Sequence, residues 1–113
     1  MRLINKTRNT VVAGDVFIAG SPLKRIKGLL GKKSFNKSQA LIIKPCNSIH
    51  TFFMRFSIDA LFMGRDNKVI QTLSGIKPFK FTRIYFQANY VIELPSGAIK
   101  DSFTAVGDHI TLE

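Results

Sequence analysis

An almost unbroken apolar run between positions 49 and 63 constrains this chain more than any other feature. The run reads Ile-His-Thr-Phe-Phe-Met-Arg-Phe-Ser-Ile-Asp-Ala-Leu-Phe-Met, so His50, Arg55 and Asp59 stand among large apolar side chains. A polar group in such surroundings is costly unless it is paired. These three residues therefore indicate either a network that specifies the fold or a functional pocket.

The composition is that of an ordinary folded domain. With 113 residues, of which 45% are hydrophobic and 21% charged, the chain is predicted to form a single domain over residues 1–113. Its single cysteine, Cys46, excludes an intrachain disulfide. The sequence shows neither a signal-peptide-like apolar run at its start nor the ~20 apolar residues of a membrane span. These features favour a cytoplasmic protein.

Short segments rich in β-forming residues alternate with turn signals along most of the chain. In the turn that joins 58–63 to 68–73 as an antiparallel hairpin, Gly64 or Asn67 is expected to take a positive φ. The expected fold is mainly β (α+β): a compact β-sandwich or barrel-like domain of short, mostly antiparallel strands. The predicted strands are 11–18 (a hairpin or a bent strand around Gly14), 41–43, 49–54, 58–63, 68–73, 83–86, 89–94 and 109–112.

The sequence also predicts one amphipathic helix at about residues 21–30. Ser21 can cap its start, Pro22 suits the first helical position, and Gly31 can end it. Apolar residues recur at helical spacing between these ends. A second, short helical turn is predicted within residues 98–103.

The charge is strongly positive, because 17 Lys and Arg stand against 7 Asp and Glu, a net charge of +10. Such a field attracts polyanions, which makes nucleic acid or an acidic protein a candidate partner for the basic face. The alternative is a solvated basic surface without a specific ligand. The candidate polyanion-binding residues are Lys24, Arg25, Lys27, Lys32, Lys33, Lys77, Lys80 and Arg83.

Residues 77–86 alternate cations with aromatic rings in the order Lys-Pro-Phe-Lys-Phe-Thr-Arg-Ile-Tyr-Phe. This pattern suits the stacking of bases above a charged groove. A half-buried amphipathic strand shows the same alternation, so the pattern leaves both interpretations open.

Three motifs occur in order along the chain: Arg-Ile-Lys-Gly-Leu-Leu-Gly at 25–31, the run at 49–62, and Val-Ile-Glu-Leu-Pro-Ser-Gly at 91–97, with Gly107-Asp108 near the end. Together they resemble domain-of-unknown-function family 192 over roughly residues 9–112. The resemblance implies a small β-sandwich or barrel-like fold with one helix, found in bacteria and archaea, and no established activity or cofactor. Two positions depart from the family pattern. Phe53 stands where the family usually has Trp or Gly, and Ser57 stands where it usually has Pro.

The polar residues of the central run form the first candidate site. Arg55 and Asp59 would make a buried ion pair, while a bulge at 56–57 would bring His50 and Asp59 to one side. With Thr51, these residues would edge a pocket for a small polar or anionic ligand. The structural alternative is that Asp59 satisfies backbone N–H groups at that turn and His50 is a core residue.

Support for catalysis is thin. Cys46, His50 and Asp59 are the residues that a hydrolase or thiol enzyme would use, but no family-specific signature accompanies them. The chain has neither metal-ligand spacing nor a phosphate-binding loop, so we expect no metal and no cofactor. The sequence favours a noncatalytic binding domain without catalytic residues. A nucleic-acid-associated basic protein is the first alternative, and a hydrolase or thiol enzyme is the second.

Overall fold

The computed structural model of the chain describes residues 1–19, 35–52 and 54–113. Within these residues, eight short strands form two sheets, which confirms the expected mainly β fold. The elements in chain order are β1 (Leu3–Asn5), β2 (Thr10–Ala13), β3 (Asp15–Ala19), β4 (Gln39–Ile43), β5 (Ile58–Met63), β6 (Val69–Ile76), β7 (Tyr90–Pro95), α1 (Ala98–Asp101) and β8 (Ile110–Leu112).

The described strands are ordered β3-β4-β7-β5-β6 in the larger sheet and β2-β1-β8 in the smaller one. Strands β3 and β4 are parallel and the other neighbouring pairs are antiparallel, as expected for a mostly antiparallel fold. A parallel pair needs a crossover connection, which residues 20–38 supply. The predicted amphipathic helix at about 21–30 falls in this crossover, outside the described residues.

Apolar side chains cover both faces of the larger sheet. On one face, residues such as Ile42 and Ile92 pack with Leu3 of the smaller sheet. On the other face, Phe62 and its neighbours pack against side chains of the connecting segments, among them Ile49. Every residue of β5 and β7 is buried as a result. Because both faces are covered, these strands are mostly apolar instead of alternating, and their charged residues, Asp59 and Glu93, are buried as well.

Several local predictions are confirmed. Strands β5 and β6 form the expected antiparallel hairpin, in which Asn67, not Gly64, takes the positive φ of 63°. Around Gly14 the chain passes from the smaller sheet to the larger one, so residues 11–18 form a bent segment and not a hairpin. The short helical turn predicted within 98–103 is α1.

The strands predicted at 49–54 and 83–86 are wrong. These segments are irregular and lie side by side, with the N–H of Thr82 donating to the carbonyl of Ile49 (2.9 Å) and that of Tyr85 to Asn47 (2.9 Å). The hydroxyl groups of Thr51 and Thr82 bond to backbone groups here. Backbone groups that bond to these hydroxyls are not available for a regular ladder.

Candidate functional site

Asp59 lies on β5 and is completely buried. Its Oδ1 accepts a hydrogen bond from the backbone N–H of Gly75 (2.9 Å), and its Oδ2 accepts from those of Gly97 (3.1 Å) and Ile99 (3.0 Å). Gly75 and Gly97 both have positive φ (63° and 98°), a conformation that glycine adopts without strain. Asp59 therefore joins an irregularity in β6 to the first turn of α1. Asp59 thus satisfies backbone N–H groups, as the structural alternative predicted, but these groups do not belong to the turn at 56–57.

Thr51 is also completely buried and binds the loop that follows β6. Its hydroxyl donates to the carbonyl of Lys77 (2.6 Å) and accepts from the N–H of Lys80 (2.9 Å). The backbone N–H of Thr51 donates to the carbonyl of Lys80 (2.7 Å), and its carbonyl accepts from the N–H of Phe79 (3.0 Å). Thr51 thus fixes a turn in which Phe79 takes a positive φ of 62°.

The other two residues of the predicted pocket are His50 and Arg55, and neither is fully buried. His50 is half-buried and stacks on Phe52, with 5.3 Å between ring centroids. Arg55 is exposed, and the predicted ion pair with Asp59 does not form: the described part of the chain contains the ion pairs Lys6–Glu113 and Arg8–Asp108. The four residues thus differ in exposure: Thr51 and Asp59 are buried, His50 is half-buried and Arg55 is exposed.

Residues 77–86, here called the aromatic–basic loop, form the most unusual surface among the described residues. Three of its phenylalanines are largely in solvent, with exposed fractions of 64% for Phe79, 76% for Phe81 and 84% for Phe86. The predicted cations of this segment are exposed among them: Lys77, Lys80 and Arg83. The segment is not the half-buried strand that the same alternation also allowed.

The rings at the base of the aromatic–basic loop contact one another. Phe81 of the loop lies edge-on to Phe52 of the neighbouring segment 49–54, with centroids 6.2 Å apart. Phe52 in turn stacks on His50 of its own segment. Farther along, Tyr85 packs on the buried ring of Phe62 at 4.4 Å, and the guanidinium of Arg83 lies 5.2 Å from the Tyr85 centroid. Tyr85 therefore attaches the loop to the core, whereas Phe81 remains exposed to solvent.

The other predicted polyanion-binding residues lie outside the described residues. They share one stretch of the crossover between β3 and β4, and are Lys24, Arg25, Lys27, Lys32 and Lys33. Phe53, which departs from the family pattern, is also outside the described residues.

A second buried polar cluster connects the two ends of the chain. Asp108 accepts hydrogen bonds from the side chains of Asn5 (2.9 Å) and Arg8 (3.0 Å) and from the backbone N–H of Ala105 (2.9 Å). Burial opposes ionisation of this carboxyl, but the bonds from Arg8, Asn5 and Ala105 and the charge of Arg8 outweigh it and lower the pKa of Asp108. In the sequence, Asp108 stands out only as part of the Gly107-Asp108 motif of the family resemblance.

The thiol of Cys46 is half-buried and donates to the carbonyl of Ser48 at 3.0 Å. Among the described residues, no three His, Cys, Asp or Glu side chains are grouped so that they would bind a metal ion. No helix in the described part of the chain is both long and apolar enough to cross a membrane.

Fold and surface together define a two-sheet, mainly β domain that displays an aromatic–basic loop. The chain belongs to domain-of-unknown-function family 192, described as "Uncharacterized ACR", whose model matches residues 3–112. This match confirms the resemblance seen in the three sequence motifs.

Archaeal relatives share nearly the whole chain. A UPF0127 protein of Thermococcus sibiricus is 36% identical over 98% of this chain and 74% of its own length. UPF0127 protein PH1112 of Pyrococcus horikoshii is 33% identical, and the match covers 96% of both chains.

Two crystal structures share the fold at low sequence identity. A protein of unknown function from Novosphingobium aromaticivorans has a TM-score of 0.84 at 16% identity, covering 99% of this chain and 84% of its own. A protein from Sinorhizobium meliloti, described as a candidate transcription regulator, has a TM-score of 0.78 at 19% identity, covering 97% and 89%. At these identities the likeness concerns the fold alone.

Proposed function

We propose that this chain is a noncatalytic binding domain whose aromatic–basic loop binds single-stranded nucleic acid. The observation that carries the proposal is the exposure of Phe79, Phe81 and Phe86, each more than 60% in solvent within one short segment. Large aromatic side chains are usually well buried, and a group of exposed ones marks an interaction surface. A ligand that covers these rings would remove their apolar area from water.

The cations between the rings indicate the chemistry of that ligand. Lys77, Lys80 and Arg83 are exposed and alternate along the loop with Phe79 and Phe81. In a single strand, the unpaired bases stack on aromatic rings while the backbone phosphates lie near Lys and Arg. The net charge of +10 adds a long-range attraction for a polyanion.

The loop is held in place before any ligand arrives. Thr51 fixes residues 77–80 through both its hydroxyl and its backbone, and Thr82 bonds to Ile49. A surface that is already ordered loses less conformational entropy on binding. In this proposal Thr51 and Asp59 belong to the frame, while His50 supports the exposed ring of Phe52.

Fluorescence anisotropy with a fluorescein-labelled, mixed-sequence RNA tests the aromatic part of the surface. We expect Phe81→Ala to weaken binding about tenfold, because loss of one stacking ring costs about 1–3 kcal/mol. Phe103→Ala is the matched control: Phe103 is 70% exposed but lies just after α1. An equal loss in both variants, or in neither, would contradict the proposal.

The charged part is tested by comparing two triple variants of equal net charge. Lys77→Gln/Lys80→Gln/Arg83→Gln removes the cations of the loop, and Arg65→Gln/Lys68→Gln/Lys100→Gln removes three exposed cations elsewhere. If each loop cation neutralises one phosphate, the first variant lowers the slope of log affinity against log salt by about 2. The second variant should change this slope much less.

Anionic vesicles provide the competing outcome. Phosphatidylserine–phosphatidylcholine vesicles would also attract exposed rings flanked by cations. If Phe81→Ala abolishes binding to these vesicles while no RNA binding is detected at low salt, the ligand is a membrane surface and the nucleic-acid proposal is wrong.

A further inference from the structure

A cleft opens where the core between the two sheets reaches the surface. It has a volume of about 400 Å³, within the usual range of small-molecule sites. Apolar walls come from both sheets, with Ile42 on the larger one and Leu3 and Ile110 on the smaller one. The site lies apart from the aromatic–basic loop and from all four residues of the predicted pocket.

Polar groups meet at one place on the cleft wall. The hydroxyl of Tyr90 donates to Oδ1 of Asn67 at 2.7 Å, and the ammonium of Lys44 lies 5.2 Å from the centroid of the Tyr90 ring. This bond uses the amide oxygen of Asn67. The amide nitrogen of the same side chain carries two N–H donors. Burial, and after it the negative charge of Asp66, raise the pKa of Tyr90 and keep its hydroxyl protonated.

The backbone also fixes this polar group. Asn67 takes a positive φ at the β5–β6 turn, and its carbonyl accepts from the N–H of Ile110 at 2.9 Å. Lys44 directly follows β4, which places it beside the start of β7 at Tyr90. Lys44 follows β4, Asn67 lies in the β5–β6 turn and Tyr90 begins β7. The order of strands in the larger sheet therefore brings the three side chains together.

We propose that this cleft binds a small amphiphilic anion, with the anionic group at Lys44 and Asn67 and the apolar part between Leu3, Ile42 and Ile110. The ammonium of Lys44 and the amide N–H groups of Asn67 are donors that suit a carboxylate. The apolar walls favour a short hydrocarbon chain over a fully polar anion such as inorganic phosphate. The inference uses residues other than those of the proposed nucleic-acid surface, so either can fail alone.

NMR titration of the full chain with sodium hexanoate tests the site. We expect saturable amide shifts at Lys44, Asn67, Tyr90 and Ile110, with a Kd on the order of 1 mM for so small a probe. Hexylammonium, an alkyl ion of similar length and the opposite charge, should bind several times more weakly. Absence of saturable shifts with hexanoate, or equal binding of hexylammonium, would overturn the proposal.

Three charge variants locate the anionic group. Lys44→Met keeps the length of the side chain and should weaken hexanoate binding about twofold to fivefold, as for the loss of one exposed charge pair. Lys100→Met makes the same change in net charge elsewhere and should leave it unchanged. Asp66→Asn removes a negative charge near Tyr90 and should strengthen it about twofold. If Lys44→Met binds hexanoate as tightly as the unaltered chain, the assignment of the anionic group is wrong.

Discussion

The central run, residues 49–63, and the aromatic–basic loop, residues 77–86, are opposites in sequence and in structure. The run is apolar with a few polar residues, and the structure buries Thr51 and Asp59 in bonds to backbone groups. The loop is rich in cations, yet it displays Phe79, Phe81 and Phe86 to water. Thr51 and Asp59 inside the core bond to the backbone of distant segments, whereas the exposed rings of the loop form the surface that we propose binds a ligand.

Among the polar residues of the two regions, Asp59 should have the largest effect on stability when it is removed. Asp59→Ala leaves the N–H groups of Gly75, Gly97 and Ile99 without their acceptor, and we expect a loss of about 3–5 kcal/mol in the free energy of unfolding. Urea denaturation followed by circular dichroism measures it, with the exposed Asp101→Ala as the control. If Asp59→Ala does not fold, Asp59→Asn provides a milder measurement.

Asp108 gives a pH-dependent effect of intermediate size. Because its pKa in the folded chain is lowered, its contribution to stability is present above the ordinary carboxyl range and is lost as the pH falls through the lower folded value. We expect Asp108→Asn to cost about 2 kcal/mol at neutral pH and less in acid. Urea midpoints at a series of pH values measure this convergence. Parallel curves for Asp108→Asn and the unaltered chain would refute the assignment.

Thr51 joins the two regions, so its removal should affect both. Thr51→Val keeps the shape of the side chain but loses the bonds to Lys77 and Lys80, at a cost of about 1–2 kcal/mol in stability. The freed loop should also bind RNA several times more weakly. The half-buried Thr72→Val on β6 is the control for this comparison. Unchanged RNA affinity with reduced stability would show that the order of the loop does not matter for binding.

The smallest effect on stability is expected for Phe81. Because the ring is 76% exposed, Phe81→Ala should change the free energy of unfolding by no more than about 0.5 kcal/mol, even though it weakens RNA binding. The fully buried Phe62→Ala is the counterpart and should cost about 3–5 kcal/mol. A large loss of stability in Phe81→Ala would mean that the exposed ring supports the fold, and the comparison of the two regions would not hold.

Much of the fold was predictable, because its strands have local signals. The β5–β6 hairpin, the turn at Asn67 and the short helix α1 follow from apolar runs bounded by Gly, Asn and Pro. The strand expected at 49–54 failed because its backbone bonds to the loop at 77–85. An apolar run indicates burial, but it does not distinguish a strand from an irregular segment whose backbone is satisfied elsewhere.

The candidate site was predictable only in part. Alternation identified Lys77, Lys80 and Arg83 as a group, but it fitted a half-buried strand as well as an exposed loop. The polar group at Lys44, Asn67 and Tyr90 has no local signal at all. Asn67 and Tyr90 are 23 residues apart in sequence, and only the strand order of the larger sheet brings them together.

The amino-acid sequence by itself determined the family, the mainly β character and the basic charge of this protein. Composition, turn residues and the hydrophobic pattern are local properties, so they can be read without the structure. The partners of Asp59 were decided by the tertiary structure, since its acceptor oxygens meet N–H groups 16, 38 and 40 residues away. The exposure of Phe81 was decided there too. A side chain's type states what it would cost to bury it, but the packing of distant segments decides whether it is buried.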